Sequence, residues 1–225
     1  MPFNHVSRID DRVPVRNAIV SVYDKIGLPD LARGLVESCP GIRIYSTGGT
    51  LSALRTILGP AAERILVSME DYTGQPEMKG GLVKTLDWRI YLGLLSEPYD
   101  PEHAADRARS GAVAFDLVVG NLYPFGSVSS ASGPFEAARQ NIDIGGPCML
   151  RAAAKNFLRV AGVCDPGDYA AVLGELRETG GMLGLATRAR LARKVFDTTS
   201  RYDAAIAAFL GSRAEAGLGG EYEVG

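Results

Sequence analysis

The sequence predicts an α/β protein with a mostly parallel central sheet and helices on both faces, in three layers. Two observations carry this expectation. Short apolar runs alternate with amphipathic stretches, twice in direct succession near the start of the chain, and βα units in series build parallel sheets with crossover helices. Several of those runs end in turns rich in glycine, hydroxyl residues or proline, as strands do at the carboxyl edge of such a sheet.

Taken in order, Ala18 to Ser21 is a first strand, broken by Asp24, Lys25 and Gly27, and Pro29 opens an amphipathic helix through Leu31, Leu35 and Val36. Ile42 to Tyr45 is a second strand, followed by Ser46-Thr47-Gly48-Gly49-Thr50 and a helix through Leu51, Leu54 and Ile57. Ile65 to Val67 is a third strand. Asp71 to Gly81, dense in glycine, proline and polar residues, is expected to be a loop whose length points to function. Leu117 to Leu122, closed by Tyr123 and Pro124, and Val160 to Cys164, ended by Asp165-Pro166, are two further strands. Thr187 to Leu210 carries Leu191, Val195, Phe196, Ala204, Ile206 and Phe209 in a charged background and predicts one or two helices covering the sheet. Gly217 to Gly225 reads as a loose tail. With no internal repeat or linker, residues 1–225 are expected to form one domain with a core of about 17–212.

The chain has 225 residues, 46% hydrophobic and 22% charged, enough for one sizeable core. A net charge of −2 with scattered basic residues argues against nucleic acid or an anionic membrane as partner, while a local cluster for a small anion stays open. Cys39, Cys148 and Cys164 are odd in number and lack C-x-x-C spacing, so neither a disulfide framework nor a zinc site is expected. Met1 to Arg12 has no apolar core region, and no run approaches the ~20 apolar residues of a membrane span. A cytoplasmic location fits.

The stretch Asn141 to Asn156, NIDIGGPCMLRAAAKN, reads as a ligand-ready loop opening a helix. Gly145 and Gly146 admit close backbone approach, and Pro147 suits the first helical position. Met149, Leu150, Ala153, Ala154 and Leu158 share an apolar face, leaving Cys148, Arg151 and Lys155 on another. Like charges at i,i+4 cost roughly 0.2–0.5 kcal/mol, so either Asp143 or an anionic ligand offsets this pair, or it is a solvated basic face. Ser46 to Thr50 is either an anion cradle at a helix N-terminus or a plain βα turn with Thr50 as N-cap. It matches neither the Walker pattern nor G-x-G-x-x-G. Ser21, Tyr23 and Lys25 leave the first strand at the same carboxyl edge, as the other side of one pocket or as a loop with a solvated lysine. Lys84, beside Thr85 after a glycine pair, and Tyr123 are, in isolation, residues of kinds more often found at the surface or in packing than in a site. His5 and His103 lie outside every motif, which leaves little for a histidine mechanism.

Together, SVYDKIG (21–27), STGGT (46–50), TGQPEM (73–78), GGLVKTL (80–86), NLYPF (121–125) and the 141–156 stretch resemble the IMP cyclohydrolase domain that forms the amino-terminal part of the bifunctional purine-synthesis enzyme. The resemblance runs in order from about Asn17 to Ser212, and the family's formyltransferase domain is expected to have no counterpart in these residues. It implies a methylglyoxal-synthase-like fold and dehydrative closure of 5-formamidoimidazole-4-carboxamide ribonucleotide to IMP, without metal or organic cofactor. Carried over by position, the catalytic set is Lys84, Tyr123, Asp143 and Lys155. The nucleotide-binding set is Ser21, Tyr23, Lys25, Ser46, Thr47, Gly48, Gly49, Thr50, Thr85, Asn121, Gly145 and Gly146. As partners it implies the nucleotide, with a homodimer and a separate AICAR formyltransferase as further candidates. Asp143 is expected to fix and tune Lys155, while Lys84, Tyr123 and backbone N–H groups hold developing oxygen charge.

The chain departs from the family's pattern in three places. Leu82 stands where arginine is usual, Asp87-Trp88-Arg89-Ile90-Tyr91 replaces a histidine-proline stretch, and Ile26 replaces a small residue. The competing reading is a phosphate-sensing regulatory domain of the same fold, which would use the hydroxyl and glycine loops without chemistry.

Overall fold

The computed structural model describes residues 6–76, 84–128, 135–216 and 222. Seven strands and eleven α-helices are assigned among them. The first half of the chain runs β1 (Arg12–Pro14), β2 (Asn17–Val22), α1 (Leu28–Ser38), β3 (Arg43–Ser46), α2 (Gly48–Leu58), α3 (Ala62–Ile65), β4 (Leu66–Ser68), α4 (Met69–Thr73), α5 (Trp88–Leu95) and α6 (Pro101–Ser110). The second half runs β5 (Leu117–Asn121), α7 (Phe125–Val128), α8 (Phe135–Gln140), α9 (Gly145–Lys155), β6 (Ala161–Val163), α10 (Tyr169–Thr179), β7 (Met182–Gly184) and α11 (Leu185–Ala216).

Five strands form one parallel sheet in the order β4-β3-β2-β5-β6. The pleat sorts the side chains into two cores. Ala18, Val20 and Val22 of β2, with Leu117 and Val119 of β5, pack with residues of α1, α2 and α10 on one face. Ile19 and Val118 pack with residues of α5, α9 and α11 on the other. That is the expected three-layer arrangement, built from strands apolar on both sides. No helix among the described residues is long and apolar enough to cross a membrane. Cys39 and Cys164 are buried thiols and Cys148 an exposed one, all unpaired.

Several elements differ from the sequence expectation. β1 pairs antiparallel with β7, so ordered structure begins ahead of Asn17, where the core was expected to start. Two groups hold this edge of the molecule. The Asp116 carboxylate accepts the N–H groups of Arg16 and Asn17 at 2.9 Å each and pairs with Arg159 at 2.8 Å, locking the starts of β2 and β5 to the segment entering β6. Arg188, with no exposed surface, donates to the carbonyls of Asp10, Asp11, Phe157, Leu158 and Leu183. The supposed loop from Asp71 begins as the end of α4, and its part from residue 77 to 81 lies outside the described residues, as does Leu82. Pro147 is the third residue of α9, which starts at Gly145. Leu158 lies beyond the helix, whose C-cap is Asn156.

Arg188→Met keeps the apolar stem and removes every donor, leaving buried carbonyls without partners at ~1–3 kcal/mol each. The expected outcome is a loss of at least ~3 kcal/mol, read as a lower urea midpoint at unchanged m-value. A midpoint within error of wild type would show that Arg188 does not hold this edge.

Candidate active site

β2 lies between β3 and β5, so connections diverge from its carboxyl end and leave a crevice, the usual ligand position in an open α/β sheet. A cavity of about 540 Å³ opens there, lined by Tyr23, Lys25, Asn121, Pro124 and Pro166 among others. That volume suits a small molecule. The Asn121 side-chain carbonyl accepts the N–H groups of Tyr23 at 2.7 Å and Asp24 at 3.0 Å, and its amide donates to the Asp24 carbonyl at 2.8 Å. Asn121 therefore shapes the wall of the crevice. The rings of Tyr23 and Tyr123 meet edge to face at 5.0 Å and are 51% and 43% exposed, so both phenols border the opening. Lys25 Nζ reaches back to the Tyr23 carbonyl at 3.3 Å.

The STGGT turn divides its duties. Ser46 Oγ donates to the Val20 carbonyl at 2.6 Å, and Thr50 Oγ1 accepts Val22 N–H at 3.1 Å and donates to the Val22 carbonyl at 2.9 Å. Both hydroxyls are buried and fasten the turn to β2, which leaves the main chain as what these two positions can offer a ligand. Thr50 is not the N-cap, which is Thr47. Ser21 Oγ and Thr47 Oγ1, 3.3 Å apart and half-buried at the carboxyl ends of β2 and β3, bond to each other. Gly48 has φ +44°, a left-handed value that favours glycine.

Lys84 and Thr85 bridge two helix starts. A Cβ on Gly48 would meet Lys84 Nζ at 3.2 Å, and one on Gly145 would meet Thr85 Oγ1 at 2.9 Å. The ammonium thus lies at the N-terminus of α2, with the N-terminus of α9 on the other side of the Lys84-Thr85 pair. Each is the positive end of an 11-residue helix, an arrangement complementary to an anion.

Asp143 precedes α9 and accepts Gly146 N–H at 2.9 Å. A Cβ on Gly146 would fall 2.5 Å from Asp143 Oδ2, so only glycine admits the carboxylate there. Burial pushes the Asp143 carboxyl above the usual carboxylate range, and the N–H groups of Gly146 and Tyr123 pull it partly back. Its own N–H donates to Tyr202 Oη at 2.8 Å, and that hydroxyl donates to the Asn141 carbonyl at 3.1 Å. Tyr202 was not a sequence candidate, although a tyrosine on the apolar side of a long helix needs a partner for its hydroxyl.

The departure stretch has its own account. Asp87 caps α5, accepting Arg89 N–H at 2.8 Å and Gln75 Nε2 at 3.0 Å. The Arg89 guanidinium is 3.6 Å from that carboxylate and donates to the Thr73 carbonyl, so it is engaged with its own loop.

Comparison with known proteins then places the chain. The family model described as AICARFT/IMPCHase bienzyme matches residues 153–224. The bifunctional purine biosynthesis protein PurH of Mesorhizobium japonicum is 45% identical over 205 residues, 91% of this chain and 37% of that protein. PurH of Chlorobium luteolum is 48% identical over 197 residues, 87% of this chain and 36% of its own length. The crystal structure of ForH superposes with a TM-score of 0.76 at 34% identity, covering 88% of this chain and 97% of that one. This chain belongs to the PurH family. It spans little more than a third of the length of these curated PurH proteins, and its sheet and layers are the α/β fold that the resemblance implied.

Within that PurH-family frame, Lys84, Thr85, Tyr123, Asp143, Gly145 and Gly146 gather at the carboxyl edge with Ser21, Tyr23, Thr47 and Gly48. Lys155 does not. It is the last residue of α9, whose 11 residues rise ~15 Å, and it is exposed at the end away from Asp143. The expected Asp143–Lys155 pair is therefore absent within one chain. Arg151, the other cation of that face, stacks on Phe196 at 5.2 Å and donates to Thr199 at 3.4 Å, so neither Asp143 nor an anion is needed to offset it.

Two outcomes test this division of labour. Thr50→Val should cost ~2–3 kcal/mol of stability because the buried N–H and carbonyl of Val22 lose their partner, whereas Thr47→Val should be near neutral; denaturant titration of both checks it. Asp143, with its folded-state pKa raised, contributes stability that is complete below the unfolded pKa of ~3.9 and is lost as pH rises through the folded value. Measured against Asp143→Asn, wild type should therefore weaken with rising pH from about pH 4 and level off above the folded pKa. An opposite slope would mean that the two N–H groups outweigh burial.

Proposed function

We propose that this chain is an IMP cyclohydrolase, closing the formamido ribonucleotide to IMP in purine biosynthesis. The observation that carries the reading is the half-buried Asp143 carboxyl, held by the N–H groups of Gly146 and Tyr123, the latter in the segment that follows β5 at the crevice. The PurH relatives supply the pathway. In the reaction the carboxamide nitrogen attacks the formyl carbon, a C–N bond forms, and the former carbonyl oxygen leaves as water. Both partners lie on one ring, so proximity is present in the substrate, and the protein's task is proton transfer and charge stabilisation.

Asp143 takes a proton as nitrogen attacks and returns one to the departing hydroxyl; a pKa raised above the carboxylate norm suits both steps. The Tyr123 phenol, at the rim of the crevice, donates to the oxygen that gains charge. Lys84 at the start of α2 supports placing the phosphate by Thr47, Gly48, Gly49 and Ser21, with the ammonium as its counter-ion. A formyltransferase subunit or a second copy of the chain as partner belongs to the same proposal.

One observation favours the regulatory reading. Lys155, one of the four residues the resemblance assigns to catalysis, stands apart from the other three. The deciding experiment incubates the pure chain with the formamido ribonucleotide and follows IMP by absorbance. IMP should form, and Asp143→Asn should lower kcat by ~10²-fold or more with little change in KM. Tight binding of the ribonucleotide with no IMP would replace the enzyme by a binding domain.

A further inference from the structure

We infer that Tyr202, on the distal half of α11, is the positioning residue that sets the Asp143 carboxyl at the start of α9. The inference rests on the proposed role of Asp143 and assigns Tyr202 no contact with substrate.

The hydroxyl of Tyr202 has both of its functions committed. Asp143 N–H donates to it at 2.8 Å, so its own proton goes to the Asn141 carbonyl at 3.1 Å. One oxygen thereby fixes both peptide groups that lead into Asp143, from a residue 59 positions away in sequence. Burial holds the phenol above its ordinary pKa although the Asp143 N–H pulls it partly back, so the donating, neutral form is the one present. The ring has a second task. It meets Phe125 edge to face at 6.2 Å, two residues beyond Tyr123, in a small core shared with Phe135 and Phe209. Tyr202 thus contacts both segments that deliver reactive groups: the one after β5 that carries Tyr123, and the one before α9 that carries Asp143.

These loops need an outside anchor. Asp143 lies between the short α8 and α9, and Ile144, the N-cap of α9, makes no side-chain cap. The Asp143 side chain is held by Gly146 and Tyr123, and its main chain by Tyr202. Without the third hold, the peptide plane before Asp143 turns more freely and the carboxyl follows. A shift of about 1 Å at a proton-transfer group costs up to ~10²-fold in rate.

Tyr202→Phe removes the hydroxyl and keeps the ring against Phe125. Measured by steady-state kinetics, it should lower kcat for IMP formation roughly tenfold with KM within twofold, and the melting temperature should fall by only about a few degrees, because the Asp143 N–H and the Asn141 carbonyl lose their partner. In an Asp143→Asn background the same change should have little further effect, because the group it positions is gone. Amide exchange of Asp143, followed by NMR, should accelerate about tenfold in the Phe variant. Wild-type turnover in Tyr202→Phe, or an equal loss in both backgrounds, overturns the inference while leaving the cyclohydrolase reading intact. If Asp143→Asn turns over normally, or wild type makes no IMP, the functional reading fails instead. The exchange rate then still decides: acceleration supports the hold by Tyr202, and no change removes it.

Discussion

A guanidinium with no path to solvent holds one side of this molecule together. Arg188 meets no carboxylate among its hydrogen-bond partners; its donors reach five main-chain carbonyls from three separate parts of the chain. A buried cation is tolerated when its donors are matched, and arginine's planar fork can match several carbonyls without losing its charge. The strand pair β1–β7 is three residues long on each side and would not persist alone. With Arg188 beneath it, the start of α11 is fixed relative to the end of α9, and α11 then runs on to the loops that carry the site.

At the opposite edge the physics is convergence. Parallel strands bring their carboxyl ends together, and the helices that follow bring their positive ends, so hydroxyls, glycines and a lysine from distant parts of the sequence face one crevice. The hydroxyls there are of two kinds. Those of Ser46 and Thr50 complete β2, and those of Ser21 and Thr47, half-buried, bond to each other and to no main-chain group of β2. Motif membership alone does not separate them. The same holds for Asn121, whose side chain builds the wall that a ligand would touch.

How much of this is legible in sequence depends on how local its cause is. Strands β2, β3, β4, β5 and β6 were readable because each contains a run of branched or aliphatic residues, with small shifts at the ends: Ile65 closes α3 instead of opening β4. β1 and β7 were not, because Arg12-Val13-Pro14 has no strand pattern and its pairing depends on contacts 170 residues away. α6 has no buried residue and so no apolar stripe, although Asp100 at its start and Gly111 at its end are readable caps. α5 is apolar on most sides, which erases periodicity. In the site, Asp143, Gly145 and Gly146 were evident as a helix-opening turn. The position of Lys155 was derivable too, since eleven helical residues cannot place both ends at one pocket. Tyr202 was beyond reach, because its partners are set by the docking of α11.

The tie between Thr50 and Val22 bears on how a ligand would be received. Both main-chain polar groups of a strand-end residue are closed by one side chain from the neighbouring βα turn, so this half of the crevice acquires its shape when the sheet forms. An incoming anion meets N–H groups already aimed, and little conformational entropy is left to lose there on association. Affinity on that side is then governed by desolvation and charge, and encounter should be limited by diffusion and steering instead of by rearrangement.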